Sequence, residues 1–342
     1  MRFPADMVEL ISKAKSLGIA CNEHGGVSEG FDSCWGDTAY PPCGYLPWKA
    51  LEVGNGDTYG FYWPIGREEG PPVVCTLMHD EWAVLPVASG LREFARLHVL
   101  RHSGSEEDPP EDEELNALID EVEPRMDDLS SICERAKTEE EEEYGLPYWG
   151  AWNPEPLLEA DAQSPHLLML SGKAAIAQRR LELAEKHLLA ALAVLPEYSE
   201  ALGLLALVYR QMGQHADSAA MAMEAITSPH CFGVADRKRL SGWIRQMRDS
   251  TYTGNDPLWR MRGTLEFSQD GEGDADYSAF EPLVEAYHVA GLGQRAVRLR
   301  ITVGEMMSRE TAAFQERAGW SGGLWREVLR DDLKRAGIAR VC

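Results

Sequence analysis

Residues 196–229 of this 342-residue chain read PEYSEALGLLALVYRQMGQHADSAAMAMEAITSP, and this stretch decides the fold of the larger part of the protein. Apolar and small residues recur at helical spacing on both sides of Gly213, which predicts two helices joined by a turn. When the chain is shifted on itself by 34 residues, the preceding stretch superimposes on this one, and both end in proline. The matching positions are Ala175 with Tyr209, Ala184 with Ser218, Ala191 with Ala225, and Leu192 with Ile226. The sequence therefore predicts tandem pairs of helices.

A helix–turn–helix period of 34 residues resembles the tetratricopeptide repeat. The first unit departs from the pattern, because Ala175 and Arg179 stand where the second unit has an aromatic residue and a glycine. A third, degenerate unit is predicted through Pro282, Tyr287, Gly291, Ala296 and Gly304. We predict an all-α, tetratricopeptide-like repeat domain over residues 155–342.

The N-terminal part has a different pattern. Residues 58–63, 73–78 and 82–87 are rich in β-branched and aromatic side chains and predict three strands, after a stretch that we interpret as a loop. Ser89 can cap a helix that follows them. This order of elements predicts an α+β domain with a small antiparallel sheet over residues 1–104.

The net charge of the chain distinguishes between classes of binding partner. The chain has 33 Lys and Arg against 56 Asp and Glu, a net charge of −23. Such a surface repels phosphate backbones and anionic membranes, so we expect no direct binding to nucleic acid or membrane. It attracts a basic protein instead.

Residues 105–143 hold 18 of the acids and 3 of the basic residues, a net charge of −15. Apolar residues keep a helical period through this stretch, so we predict an acidic helical linker over residues 105–154. Two interpretations stay open for it, a solvated linker and a contact surface for a partner.

Catalytic, metal and membrane signals are weak. The seven cysteines are scattered without a CxxC pair, which favours reduced thiols in a cytoplasm over a disulfide framework or a zinc site. The sequence has no apolar run of membrane-spanning length, no apolar leader, and none of the common catalytic motifs. We predict a cytoplasmic protein that is not an enzyme and has no cofactor or metal.

The N-terminal part resembles the SUKH superfamily. The resemblance is carried by Asn55-Gly-Asp57 before an aromatic strand, by His79-Asp-Glu-Trp82, and by Pro86-Val-Ala-Ser-Gly-Leu-Arg-Glu-Phe94, in which Gly90 replaces a serine of the family pattern. It covers roughly residues 5–103. It implies a cytoplasmic binding domain, and many bacterial relatives resemble immunity proteins of polymorphic toxin systems.

From this resemblance and the net charge we expect an immunity protein that binds a cognate toxin, of the basic nuclease type, and blocks its active-site cleft. The alternative is a tetratricopeptide scaffold that docks other proteins. The predicted partner-binding residues are acids and aromatics, namely Asp57, Tyr59, Glu68, Glu69, Asp80, Glu81, Glu106, Glu107, Asp108, Glu111, Asp112, Glu113, Glu139, Glu140, Glu141, Tyr148 and Trp149.

Several of these residues have a plainer interpretation. Asp57 fits the chemistry of a tight turn, and residues 79–81 fit a hairpin connection better than a metal site. Tyr148 and Trp149 fit an inter-domain staple as well as an exposed hot spot. Of the four aromatics in residues 59–63, at least two should face the core and one or two the surface. In the repeats, Arg179, Arg180, Arg210 and Gln211 are either solvated or grip a peptide.

Overall fold

The computed structural model describes residues 39–50, 58–78, 81–102, 131–132, 135–136, 153–233, 236–263 and 277–339. The strands are β1 (Tyr45–Ala50), β2 (Thr58–Tyr62), β3 (Val73–Met78) and β4 (Ala83–Ala88). The helices are α1 (Leu91–His102), α2 (Pro154–Leu157), α3 (Pro165–Ala177), α4 (Leu181–Val194), α5 (Ser199–Gln211), α6 (His215–Ile226), α7 (Arg237–Gln246), α8 (Pro257–Met261), α9 (Phe280–Val289), α10 (Gly293–Arg309), α11 (Ala312–Arg317) and α12 (Gly322–Arg335), with 3₁₀ turns at Asp249–Thr251 and Tyr277–Ala279. The predicted fold class, an α+β part followed by an all-α part, is confirmed. The predicted boundaries at residues 104 and 154 stay a prediction.

The strands form one antiparallel sheet in the order β1-β2-β3-β4. Strands β2, β3 and β4 agree with the prediction, but β1 lies in a stretch that the sequence predicts to be a loop. The pairing of β1 with β2 shifts register between Pro47 and Lys49, so this strand lacks the regular alternation that marks a strand. Gly60 in β2 is required by packing, because a Cβ there would collide with the Tyr45 ring.

The sheet is a middle layer, buried on both faces. Tyr59, Phe61 and Trp63 share a core cluster with Leu91 and Phe94 at the start of α1. The opposite face packs on the helical repeat, through Tyr62, Val73, Cys75, Leu77 and Val84. All six residues of β3 are buried in consequence.

This layering corrects the expectation for the aromatic strand. Tyr59, Phe61, Tyr62 and Trp63 are exposed by 5% or less, so none remains for the surface. The expectation assumed one solvated sheet face, whereas α1 covers one face and the repeat covers the other.

Four helices carry the predicted repeat. Helix α3 begins at Pro165 and α5 at Ser199, and α4 begins at Leu181 and α6 at His215, so both pairs are offset by 34 residues. The 34-residue period is therefore confirmed in the fold. Gly172 in α3 lets α4 approach closely, since an added Cβ would lie 2.8 Å from the Leu188 side chain.

The turn within each helix pair uses the left-handed backbone conformation. Gly213 (φ +78°) and Gly291 (φ +73°) take it between α5 and α6 and between α9 and α10. Arg179 takes it (φ +58°) between α3 and α4, at the position where the first unit lacks a glycine. The same turn at Gly291 supports the third, degenerate unit, whose helices are α9 and α10.

Buried polar contacts tie the sheet to the repeat. Glu197, before α5, is fully buried, and its Oε1 accepts hydrogen bonds from the Tyr62 hydroxyl (2.8 Å) and the Ile65 N–H (2.6 Å). At the end of β4, the Ser89 N–H and hydroxyl both donate to Asp161, each at 2.7 Å. The two parts therefore share one interior.

Candidate functional site

A cleft of about 580 Å³ opens between α9, α10 and α12. Its described lining consists of charged residues and two valines, namely Glu281, Val284, Glu285, Arg300, Val328, Asp331, Asp332, Lys334 and Arg335. It contains no hydroxyl or thiol group within this lining. The cleft therefore offers charged groups and an apolar wall.

The distance between α10 and α12 is set by a glycine. A Cβ at Gly304 of α10 would collide with the Trp325 ring of α12. The Trp325 indole N–H donates to the carbonyl oxygen of Arg300 at 3.0 Å. Close contact on this side holds α12 against α10 beside the cleft.

Arg300 forms the floor of the cleft. Its side chain is 7% exposed; its Nε donates to Asp332 Oδ2 at 2.7 Å and its Nη2 to Glu281 Oε2 at 2.8 Å. Burial opposes the charge of Arg300, but these hydrogen bonds outweigh burial and raise the pKa of Arg300. The bond to Arg300 lowers the pKa of Glu281. Arg300 and Glu281 are therefore charged at neutral pH.

Asp332 of α12 links the other two helices. Besides Arg300 of α10, its carboxylate contacts His288 Nε2 of α9 at 2.9 Å, and both of these side chains are about 5% exposed or less. A buried carboxylate held by both an arginine and a histidine resists displacement. The floor of the cleft is consequently rigid.

The rim is more open. Glu285 and Arg335 form an exposed ion pair at 2.8 Å, and Val328 is 42% exposed whereas Val284 is buried. Exposed ion pairs contribute little to stability and rearrange easily. A rim of this kind can receive the side chains of a polar peptide.

A second polar cluster lies at the junction of sheet and repeat. Glu305 of α10 is 1% exposed and accepts the backbone N–H of His230, next to Cys231, whose carbonyl oxygen accepts the Val84 N–H at 2.7 Å. Burial raises the pKa of Glu305 to about 7 and lowers the pKa of Arg237 to about 9. This cluster is closed to solvent, so we assign it to pH-dependent stability and not to ligand binding.

The cysteines differ in part from the expectation of reduced thiols. Cys75 and Cys231 are free and buried, and burial raises the pKa of both thiols. Cys43 is disulfide-bonded, so the expectation is wrong for this residue. Its spacing from the other cysteines follows no motif, which is why the sequence did not indicate the bond.

Among the described residues, no group of three or more His, Cys, Asp or Glu side chains is arranged to hold a metal ion. No helix in the described part of the chain has the length and apolar character needed to span a membrane.

Four of the predicted partner-binding residues lie in the described part, and two of them are buried whereas two are exposed. Tyr59 is 5% exposed and packs edge-to-face on Phe94, with ring centroids 4.8 Å apart, so a contact by this ring would require it to leave the core. Glu68 is 6% exposed and accepts the Gly66 N–H at 2.9 Å. Glu69 and Glu81 are exposed.

The other predicted partner-binding residues lie outside the described residues, and their contacts stay a prediction. They are Asp57, Asp80, Glu106, Glu107, Asp108, Glu111, Asp112, Glu113, Glu139, Glu140, Glu141, Tyr148 and Trp149. In the repeat, Arg179, Arg180, Arg210 and Gln211 are all exposed, as both interpretations of them require.

The cleft residues themselves were not predicted. Arg300 lies 19 residues from Glu281 and 32 from Asp332 along the chain, and no local spacing rule joins partners so far apart. A usable signal was present in α10, where Arg295, Arg298 and Arg300 alternate with the apolar run that includes Val297, Leu299 and Ile301. Arginines on the buried side of a helix require buried acids opposite them.

A small antiparallel sheet set on helical repeats defines a protein of mixed α+β and all-α architecture, with a charged cleft between three of its helices. Residues 32–110 match the family model described as the YfbP N-terminal domain. The chain is also similar to a protein of Escherichia coli (strain K12) with the name "Uncharacterized protein YfbP", with 27% identity over 309 residues, covering 89% of this chain and 92% of the relative. Neither comparison names SUKH, so that resemblance stays a prediction.

Proposed function

We propose that this protein is a non-catalytic binding protein that captures a basic partner, and that it acts as an immunity protein that holds a cognate toxin inactive. The observation that carries the proposal is the distribution of charge, with −15 of the net −23 concentrated in residues 105–143. The proposal includes a cytoplasmic location, no cofactor, and no direct contact with nucleic acid or membrane.

The ion pairs of the repeat support this proposal. Three arginines of α10 are nearly buried, and each pairs with a carboxylate of the described residues. The pairs are Arg295 with Glu224, Arg298 with Glu197, and Arg300 with Asp332. These cations are therefore not available to neutralise the acids of residues 105–143. A toxin that cleaves nucleic acid needs a cationic cleft for its substrate, and concentrated carboxylates attract such a cleft and speed the encounter.

The test is co-expression of this chain with the product of the neighbouring open reading frame, followed by purification of a complex. The probing variant neutralises three linker acids, Glu106→Gln, Glu107→Gln and Asp108→Asn. Its matched control makes the same three neutral changes at exposed acids of the repeat, Asp217→Asn, Glu316→Gln and Glu327→Gln.

We expect the linker variant to slow association by about tenfold at low salt, while the control slows it much less, because steering depends on charges near the contact. The linker variant should also protect cells less well than the parent chain does, whereas the control variant should protect them nearly as well. Absence of both protection and a complex with the parent chain would overturn the proposal.

A second candidate, a scaffold that docks peptides, is favoured by the cleft between α9, α10 and α12. Its apolar wall (Val284, Val328) and charged rim are suited to an extended polar segment. Val328→Trp fills the mouth of the cleft. Leu324→Trp places the same ring one turn away, at a residue that is 57% exposed and outside the lining. Loss of partner binding with Val328→Trp alone, together with normal binding by the linker variant, would assign the function to the scaffold.

A further inference from the structure

A basic face on α7 stands out against the negative charge of the whole chain. Residues 237–262 contain seven Arg and Lys and two Asp, a net charge of +5 in a chain whose total is −23. In a chain with so many carboxylates, such a reversal of sign marks a surface with a separate role.

The face is formed by the solvent side of one helix. Arg237, Leu240, Ser241 and Ile244 are the buried residues of α7. At 100° per residue, the opposite side therefore carries Lys238 and Arg245 along one edge and Arg239 and Trp243 along the other. Gly242 lies between the two edges, and a Cβ built there would meet no atom within 4 Å. The result is a solvent-facing helix surface with cations along both edges, of which Arg239 pairs with Asp236 at 3.5 Å.

Trp243 is fixed in this face by two arginines. The guanidinium carbon of Arg210 lies 4.4 Å from the ring centroid and that of Arg239 lies 5.1 Å from it. Cation–π contacts of this kind hold the ring and both cations in place. The edge formed by Arg239 and Trp243 is therefore already organised before a ligand arrives.

Helix α8 extends the positive charge. Arg262 stacks over Trp259 at 4.2 Å and pairs with Asp249, which brings the end of α8 to the 3₁₀ turn after α7. Four exposed cations of this region have no acidic partner among the described residues, namely Lys238, Arg245, Arg248 and Arg260. No acid in the described part of the chain neutralises their charge.

We propose that this α7 face binds a short acidic peptide segment presented by a separate protein. The helix has 10 residues and so is about 15 Å long, which matches four or five extended residues. A short acidic segment contacts the cations of the α7 face and does not extend beyond them. A long nucleic acid would run from the patch onto the negative surroundings, where it is repelled. At physiological salt the Debye length of about 8 Å screens distant acids more than the contact pairs.

The acids of residues 105–143 are the alternative occupant. Residues 131–136 of this stretch are anchored beside α2, where Arg135 pairs with Glu159 at 2.7 Å. Helix α2 contacts α3, and successive contacts lead through α4, α5 and α6 before α7. The described anchor thus lies beside α2 and the basic face lies on α7, and we assign the face to another protein, with its occupation by the chain's own acids as an outcome of the test.

The experiment uses the full chain and fluorescein-labelled hexaglutamate as the probe, read by fluorescence anisotropy at about 0.15 M salt. Hexaglutamine and a ten-nucleotide oligothymidine are tested beside it. The variant Lys238→Glu/Arg245→Glu reverses the free edge of the α7 face. The matched control Lys186→Glu/Arg92→Glu changes the net charge equally at two exposed cations elsewhere.

We expect hexaglutamate to bind, hexaglutamine and oligothymidine not to bind, and the edge variant to weaken binding by about tenfold or more. The control should change affinity by less than about threefold. Equal loss in both variants, or preferential binding of oligothymidine, would overturn the proposal. Binding that becomes strong only after Glu106, Glu107 and Asp108 are neutralised would show that the chain's own acids occupy the face and would also overturn it. The proposal is independent of toxin capture, since these readouts involve no toxin.

Discussion

Replacing Arg179 with glycine should stabilise the protein by about 0.5–1 kcal/mol. Arg179 has φ +58° in the turn between α3 and α4, where the two other helix-pair turns use Gly213 and Gly291. The left-handed conformation costs a residue with a Cβ about 1–2 kcal/mol, and glycine avoids this cost. Against it, glycine loses more freedom on folding, about 0.5–1 kcal/mol. The Arg179 side chain is exposed, so its removal sacrifices little packing.

The matched variant is Gly213→Ala, 34 residues later in the same turn of the next unit. A Cβ at Gly213 would meet no atom within 4 Å, so the change tests backbone conformation without a clash. We expect it to destabilise by a similar amount, and we expect the double variant to lie near the parent. Urea unfolding followed by circular dichroism measures all four proteins. If Arg179→Gly leaves the midpoint unchanged or lowers it while Gly213→Ala lowers it, the inference of backbone strain at Arg179 is wrong.

Three further predictions concern buried groups of the repeat. The pKa of Glu305 is about 7 in the folded protein, against 4.5 for an ordinary carboxyl. The contribution of Glu305 to the free energy of unfolding is therefore largest below pH 4.5 and is lost as the pH rises through 7. Glu305→Gln should remove up to about 3 kcal/mol of this fall between pH 5 and pH 8, and an unchanged pH profile would contradict the assignment. Arg300→Met should cost about 3–5 kcal/mol by leaving Asp332 without a main partner, and adding Asp332→Leu should recover part of the loss in a double-mutant cycle. Gly304→Ala should cost about 1–3 kcal/mol because its Cβ collides with Trp325, and a thermal midpoint equal to that of the parent would contradict this packing.

The repeat could be predicted from the sequence because its signal is local and doubled. Each helix of α3–α6 has its own apolar spacing, and the 34-residue shift confirms one unit from the other. The layering of the sheet could not be predicted in the same way. The alternation of polar and apolar residues along a strand indicates how many faces of the sheet are buried, but it does not indicate what covers them. Strand β3, with the run Val73–Met78, did contain the hint, since a strand without alternating polar residues is typical of burial on both faces.

The cleft was missed for a related reason. Arg300 and its partners are close in space only because α9, α10 and α12 pack together, and that packing depends on contacts such as Gly304 against Trp325. Sequence alone showed acids everywhere, so no single carboxylate could be selected. What singles out Asp332 is its burial between Arg300 and His288, a property that exists only in the folded chain.

Net charge proved a poor guide to individual surfaces. The total of −23 is a sum in which residues 105–143 contribute −15 and residues 237–262 contribute +5, so the remaining residues carry −13. A basic partner and an acidic partner can therefore be bound by the same chain at different places, provided that salt screens one region from the other. The two associations should then respond independently to substitution, with linker variants affecting only the basic partner and α7 variants only the acidic probe. Binding of both partners at once would make this chain a bridge between proteins of opposite charge, a role that neither its composition nor its repeat fold indicates separately.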